Sequence, residues 1–187
     1  MRRDLFSRFD EGIRLDAAGL FGVKPERLAL KMAHRVKGGT VLDALCGVGG
    51  TAIAFARAGK RVVTTDIDAE RLAMARENAR IYGVAHRITF LNEDVREVMA
   101  RVRADAVYLD PPWGGAEAAE RAGFKLDDFR LDGRDLLTRS FAITPQVVLS
   151  VPPNFDLKDL VPLGRDFSVE QAKQNGDLLY MNVWFRR

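Results

Sequence analysis

Asp110-Pro111-Pro112-Trp113-Gly114-Gly115 is the stretch of this 187-residue chain best equipped for chemistry. It follows residues 104–109 (ADAVYL), a short apolar run that suits a buried strand. Neither proline can donate a ladder hydrogen bond, so a strand ends there. The carbonyls of Asp110 and Pro111 are then left to face a ligand. Trp113 adds a flat ring on which a planar group can stack. A carboxylate, a carbonyl and an indole at one strand tip suit the amino group of a base-like ring. Taken alone, Pro-Pro before Gly-Gly is equally a tight turn beside a core tryptophan, so the neighbouring residues decide.

A second group of residues points to a donor for that chemistry. Gly47, Gly49 and Ala52 match G-x-G-x-x-A, and Asp66 lies 19 residues past Gly47, where a ribose-binding acid belongs. The glycines by themselves leave a nicotinamide-dependent oxidoreductase open. Asp43, at the end of the first strand, would repel a pyrophosphate but can meet a cationic amino group. Asp94 offers an acceptor for an adenine amine, and no Tyr–Lys pair or histidine relay for hydride chemistry is recognisable. S-adenosylmethionine has an ammonium, a ribose, an adenine and no phosphate, and it fits these residues better.

Alternating short elements must carry these residues. Strands are expected at 40–45 (TVLDAL), 61–65 (RVVTT), 87–91 (RITFL) and 104–109, with helices at 51–58, 69–82 and 95–102 between them. That alternation indicates βαβ units and a parallel sheet. Right-handed crossovers bring the carboxyl ends of the strands to one edge, so Asp43, Gly47, Asp66, Asp94 and Asp110 gather where such sheets bind ligands. Residues 114–131 read as a loop or lid, 132–141 as a helix, 146–151 (QVVLSV) as a fifth strand and 157–161 as a short helix. Two final strands, 167–174 and 178–185, flank Asn175-Gly176-Asp177, a hairpin signal. The expectation is an α/β fold: a mostly parallel, seven-stranded, Rossmann-like sheet closed by a C-terminal antiparallel hairpin, with helices on both faces. One domain spans 1–187, with a helical lead-in over 1–37 and the core over 38–187.

Composition sets the remaining bounds. A chain of this length buries about 70% of its unfolded surface, and 47% hydrophobic residues is a globular value. No apolar run is long enough to span a bilayer, and the opening MRRDLFSRFDEG has no apolar core of an export signal. One cysteine excludes an internal disulfide and suits a reducing compartment, so a soluble, cytoplasmic protein is expected. The net charge is +3, and 22 of the 29 basic residues are Arg. Arginine suits phosphate contact and stacking, so an RNA partner is permitted but not required.

Together DALCGVGG, DIDAERLAMARENARIYG, NEDV and DPPWGG resemble a class I S-adenosylmethionine-dependent methyltransferase. With LFSRFDEGIRLD at the start and FRLDG, VPPNFDL and NVWF later, nearly the whole chain resembles the trimethylguanosine synthase, or RNA cap guanine-N2 methyltransferase, family. The resemblance implies methyl transfer to the exocyclic N2 amine of guanine in RNA or a related nucleotide. Asp43, Ala44, Leu45, Gly47 and Gly49 would hold the methionine part of the donor. Asp66 would take the ribose hydroxyls, Ile67 would lie against the adenine, and Asp94 and Val95 would bind its edge. Trp113 would stack on the guanine, and Asp110 and Pro111 would hold its amine, with Pro112 fixing the backbone. Asp110 stands where the family usually has Ser, and Pro153 lies near the position of an Arg that helps bind the cap phosphates. Acceptor alternatives are adenine N6 or a glutamine amide, and an inactive RNA-binding module is the non-enzymatic alternative.

Other residues receive plainer readings. Cys46 is expected to be structural, and His34 and His86 to be surface residues with no metal spacing. No metal is needed. Trp184 belongs to the core of the last strand, and Asp10 and Glu11 to a solvated turn. Phe6, Phe9, Ile13, Leu15, Leu20 and Phe21 must cover core or ligand. Arg2, Arg3, Arg186 and Arg187 are terminal charges able to meet phosphate, and Asn154 can hold substrate or build a turn.

Overall fold

The computed structural model describes residues 2–115 and 121–186. Part of the expected lid, residues 116–120, and Arg187 lie outside the described residues. The strands are β1 (Thr40–Asp43), β2 (Arg61–Thr65), β3 (Ile88–Leu91), β4 (Ala106–Leu109), β5 (Val147–Val151), β6 (Phe167–Gln174) and β7 (Asp177–Phe185). Among the described residues the helices are α1 (Arg2–Leu5), α2 (Ala17–Gly22), α3 (Glu26–Arg35), α4 (Gly50–Arg57), α5 (Ala69–Ile81), α6 (Val95–Met99) and α7 (Gly133–Ile143). All seven strands belong to one mixed sheet of order β3-β2-β1-β4-β5-β7-β6, as the alternation and the hairpin signal require. The chain divides into two compact units, Met1–Ala106 and Val107–Arg187.

In the first unit β1, β2 and β3 run parallel, with Val41 beside Val62 and Val63 beside Thr89. Helix α4 is buried along residues 51–56, as its TAIAFA composition demands. Helix α5 turns Leu72, Ala75 and Ala79 inward and is capped by Asp68, whose carboxylate accepts from the N–H groups of Glu70 and Arg71. The strand expected from residue 104 begins two residues later. Asp105 turns its carboxylate onto the N–H groups of Gly39 (2.7 Å) and Thr40 (2.9 Å) instead. In the lead-in Phe6 and Ile13 are buried as expected, whereas Phe21 is 88% exposed. Glu26 fastens this segment: it accepts from Ser7 N (2.7 Å), Ser7 Oγ (2.9 Å), Arg57 Nη1 (2.6 Å) and the Tyr82 hydroxyl.

In the second unit β4 and β5 are parallel, whereas β5–β7 and β6–β7 are antiparallel. Asn175 (φ 53°) and Gly176 (φ 93°) make the two-residue turn between β6 and β7, the left-handed pair that an Asn-Gly hairpin uses. Helix α7 starts on the Asp132 carboxylate, and its Phe141 meets Phe185 edge-on at 5.2 Å between centroids. The described part of the expected lid is a packed wall. Phe124, Phe129 and Phe155 cluster at 5.0–6.4 Å between centroids. Phe124 N donates to Asn154 O (3.0 Å) and Asp156 N to Phe124 O (2.8 Å). Apolar burial overrides the Gly- and charge-rich composition of this segment.

Candidate active site

The donor-binding candidates lie in the first unit. Asp43 ends β1 wholly buried, and its Oδ2 accepts from Thr51 Oγ1 (2.9 Å) in the first turn of α4. The chain then turns: Cys46 N donates to Thr65 O (2.8 Å) and Gly49 N to Cys46 O (2.9 Å). Gly47 and Gly49 have φ of 50° and 90°, which glycine adopts without strain. A Cβ on Gly49 would stand 2.9 Å from Ala75 Cβ, so α5 approaches the turn only because no side chain is there. A Cβ on Gly47 would meet nothing within 4 Å, so the turn is open on that side. Gly47 N donates to Asp66 Oδ2 (2.8 Å) and Asp68 N to Asp66 Oδ1 (2.9 Å). Burial pushes the Asp66 carboxyl above its ordinary pKa, and those two N–H groups pull it only partly back.

Ile67, beside Asp66, is exposed, and Asn92 Nδ2 holds the carbonyls of Asp66 (2.9 Å) and Ile67 (3.1 Å). Asp94 caps α6 by accepting from Arg96 N (2.8 Å), next to the buried Val95. Ala44 is buried and Leu45 half-buried. Three carboxylates and a glycine turn with an open side suit a ligand that brings an ammonium, hydroxyls and an amine. A pyrophosphate would meet only negative charge. S-adenosylmethionine fits this donor set.

The turn is braced from behind. Asn78 of α5 is wholly buried; its Nδ2 donates to Val48 O (3.0 Å) and Arg14 O (2.9 Å), while its Oδ1 accepts from Arg14 N (2.8 Å). Helix α2 rests on the same turn, since a Cβ on Gly19 would stand 2.6 Å from Val48 Cγ1. Asp16 caps α2 through Gly19 N (2.6 Å) and binds Arg71 Nε (2.8 Å). Sequence reasoning missed Thr51, Asn78 and Asn92. Asn78 had a usable signal, being a polar residue beside the inward stripe of Leu72, Ala75 and Ala79.

The acceptor candidates lie in the second unit. β4 ends at Leu109, and the prolines follow at once. Asp110 and Trp113 are half-buried, Pro111 is buried, and Pro112 is exposed with its carbonyl accepting from Arg130 N (3.2 Å). Gly114 and Gly115, at φ 105° and 79°, turn the chain away from the motif. Asn154 donates from Nδ2 to Arg121 O (2.6 Å), which ties the segment after the motif to the loop after β5. Burial, then the charges of Asp110 and Glu170, push the Tyr180 hydroxyl far above its ordinary pKa, so it stays protonated.

The plainer readings also have their places. Cys46 is buried against Leu72 and Ala75, and burial with the Asp43 charge pushes its thiol up; it is structural. His34 and His86 are exposed. Trp184 is buried, with its indole N–H donating to Glu170 Oε2 (3.2 Å). Asp10 is paired with Arg3. Among the described residues no group of His, Cys, Asp or Glu is placed to hold a metal, and no helix is long and apolar enough to cross a membrane.

Residues 38–185 match the family described as RNA cap guanine-N2 methyltransferase. The chain is 35% identical over 174 residues to trimethylguanosine synthase of Schizosaccharomyces pombe, covering 87% of this chain and 72% of that one. Against trimethylguanosine synthase of Saccharomyces cerevisiae it is 31% identical over 172 residues, covering 85% of this chain but 55% of the relative. The chain thus spans about half to three quarters of the relatives it matches. In fold it is similar to the crystal structure of an S-adenosylmethionine-dependent O-methyltransferase from Thermotoga maritima, with TM-score 0.67 and 16% identity over 97% of this chain and 71% of that one. The fold is therefore the Rossmann-like methyltransferase fold, and the enzyme uses S-adenosylmethionine. The chain belongs to the RNA cap guanine-N2 methyltransferase family.

Proposed function

We propose that Asp110, Pro111 and Trp113 present the N2 amine of an RNA guanosine, and that Asp43, Ala44, Leu45, Gly47, Gly49, Asp66, Ile67, Asp94 and Val95 hold the methyl donor. The observation that carries the reading is the carboxylate, two prolines and indole standing directly at the end of β4. Bound S-adenosylmethionine supplies an already activated methyl on a sulfonium. The guanine amine is a poor nucleophile because its lone pair is delocalised into the ring, so the protein's task is placement. Asp110 and the Pro111 carbonyl accept the amine hydrogens and turn the lone pair outward. Trp113 fixes the ring plane, and Pro112 keeps the backbone from yielding. Reacting atoms held about 3–3.5 Å apart and in line gain roughly 7–11 kcal/mol over free encounter. Asp43 answers the ammonium, Asp66 the ribose hydroxyls and Asp94 the adenine amine. A guanosine inside structured RNA must first be unstacked, at a few kcal/mol.

Pro153, near the place of the family's cap-phosphate arginine, favours a guanosine not selected by those phosphates. Incubation of the protein with labelled donor and either capped or uncapped RNA, then nucleoside mass analysis, tests both points. N2-methylguanosine from uncapped RNA is the expected product. Methyl on adenine N6 would reassign the acceptor, and product from capped RNA alone would restore the cap as substrate.

A further inference from the structure

The second unit carries two buried polar atoms that the reading above leaves unused. Antiparallel register sets Ser150 of β5 opposite Asn182 of β7, and Asn182 opposite Glu170 of β6. Leu109, the last residue of β4, pairs with Leu149 in parallel register, and Asp110 and Ser150 are the residues that follow them. The row across the sheet reads Asp110, Ser150, Asn182, Glu170, with about 4.8 Å between neighbouring strands. Tyr180, two residues from Asn182 and so on the same face, feels the charges of Asp110 and Glu170. Ser150 is 0% and Asn182 3% exposed, and among the described residues neither Ser150 Oγ nor Asn182 Oδ1 has a hydrogen-bond partner. Orphaned buried polar atoms are rare, and each calls for a reason. Here two stand side by side, next to the carboxylate assigned to the amine, and do not bond each other.

We propose that Ser150 and Asn182 read the guanine edge that continues from the amine, as specificity-determining residues. The inference rests on the guanine-N2 reading above. The edge offers the N2 amine, then N1–H, then O6. In the same order the row offers the Asp110 carboxylate, the Ser150 hydroxyl and the Asn182 amide. Ser150 Oγ accepts the N1–H. A half-turn of the Asn182 amide exchanges Oδ1 for Nδ2 at one place, and Nδ2 then donates to O6. An adenine has no amine at the Asp110 end of the edge, so that carboxylate loses its partner, and its N1 acceptor and N6 amine force Ser150 and Asn182 to exchange donor and acceptor roles.

2-Aminopurine tests this directly, because it keeps the amine and lacks both N1–H and O6. RNA carrying guanine or 2-aminopurine at the methylated position is compared by kcat/KM. The wild-type protein is expected to prefer guanine by about a thousandfold or more, as sites that hydrogen-bond their substrate do. Asn182→Leu should lower that preference at least tenfold by slowing guanine, with 2-aminopurine changed less than about threefold, and Ser150→Ala should slow guanine at least tenfold, both with donor affinity unchanged. Asn182→Leu should also melt no lower than wild type, because it removes an atom that has no partner in the free protein. Wild-type preference in Asn182→Leu would overturn the proposal, as would a fall in melting temperature with the ratio intact. If the wild-type protein methylates neither base and marks another nucleoside, the guanine-N2 reading falls instead, and this inference falls with it.

Discussion

Asp66 carries a charge that its burial disfavours. Ribose hydroxyls donate more strongly to an ionised carboxylate, which offers both oxygens as acceptors, than to a protonated one, so a raised pKa makes donor binding weaken at a higher pH than an ordinary aspartate would allow. By the same sign, ionising Asp66 works against the free protein at neutral pH, and binding should release protons as it stabilises the charge. Titration calorimetry between pH 4 and 7 should find donor affinity falling with pH. Asp66→Asn should lose about tenfold or more at neutral pH, the scale of a charged hydrogen bond, and should flatten that limb. On the acceptor side, Trp113→Ala should lose stacking of about 1–3 kcal/mol and most turnover, and Asp110→Ala nearly all transfer, both with unchanged donor affinity. A Trp113→Ala enzyme of near-normal activity would remove the stacking role. Residue types at strand ends were legible because chemistry prescribes them. Ser150 and Asn182 were hidden inside apolar runs, where a polar residue is usually a satisfied one.

Among the elements, α5 does the most for the glycine turn. It brings Ala75 up to Gly49 and fixes Val48 and Arg14 through Asn78. Replacing Asn78 by Ala strands two carbonyls, those of Val48 and Arg14, and the Arg14 N–H, and should cost about 2–3 kcal/mol, a fall in melting temperature of roughly 4–12 °C for a chain of this size. Donor affinity should weaken with it. An unchanged donor affinity would make Asn78 a purely structural residue. The positions and types of the strands and longer helices could be read in advance from apolar period and from Gly and Asp punctuation. Their ends were less legible. Asp105 binds the N–H groups of Gly39 and Thr40 rather than opening β4. The wall at 121–131 is built by Phe124, Leu126 and Phe129, each of which needs a partner 20 or more residues away or a local turn that composition does not announce.

For the molecule as a whole, acid stability should turn on Glu26. Burial alone would raise its pKa, but the Tyr82 hydroxyl, Arg57 and Ser7 hold it below the ordinary glutamate value. A depressed folded pKa means stability that is present above the unfolded value near 4.5 and lost as pH falls through the lower folded one. Thermal melts from pH 7 to 3 should decline through that window, and Glu26→Gln should be about 1 kcal/mol less stable at neutral pH with a shallower decline. An identical decline in both proteins would place the acid sensitivity elsewhere. The lead-in shows the limit of pattern reading at this scale. Six apolar residues before Gly22 looked like a single cover, yet Phe6 is buried and Phe21 is open to water. Only the three-dimensional path separates them.

The buried thiol of Cys46 has a practical consequence. The chain's one native thiol is sealed and reluctant to ionise, so a maleimide dye will find no competitor. Lys173→Cys, on the exposed outer strand of the hairpin, would therefore give a singly tagged protein in one reaction, ready for fluorescence titration against RNA without first deleting anything nature put there.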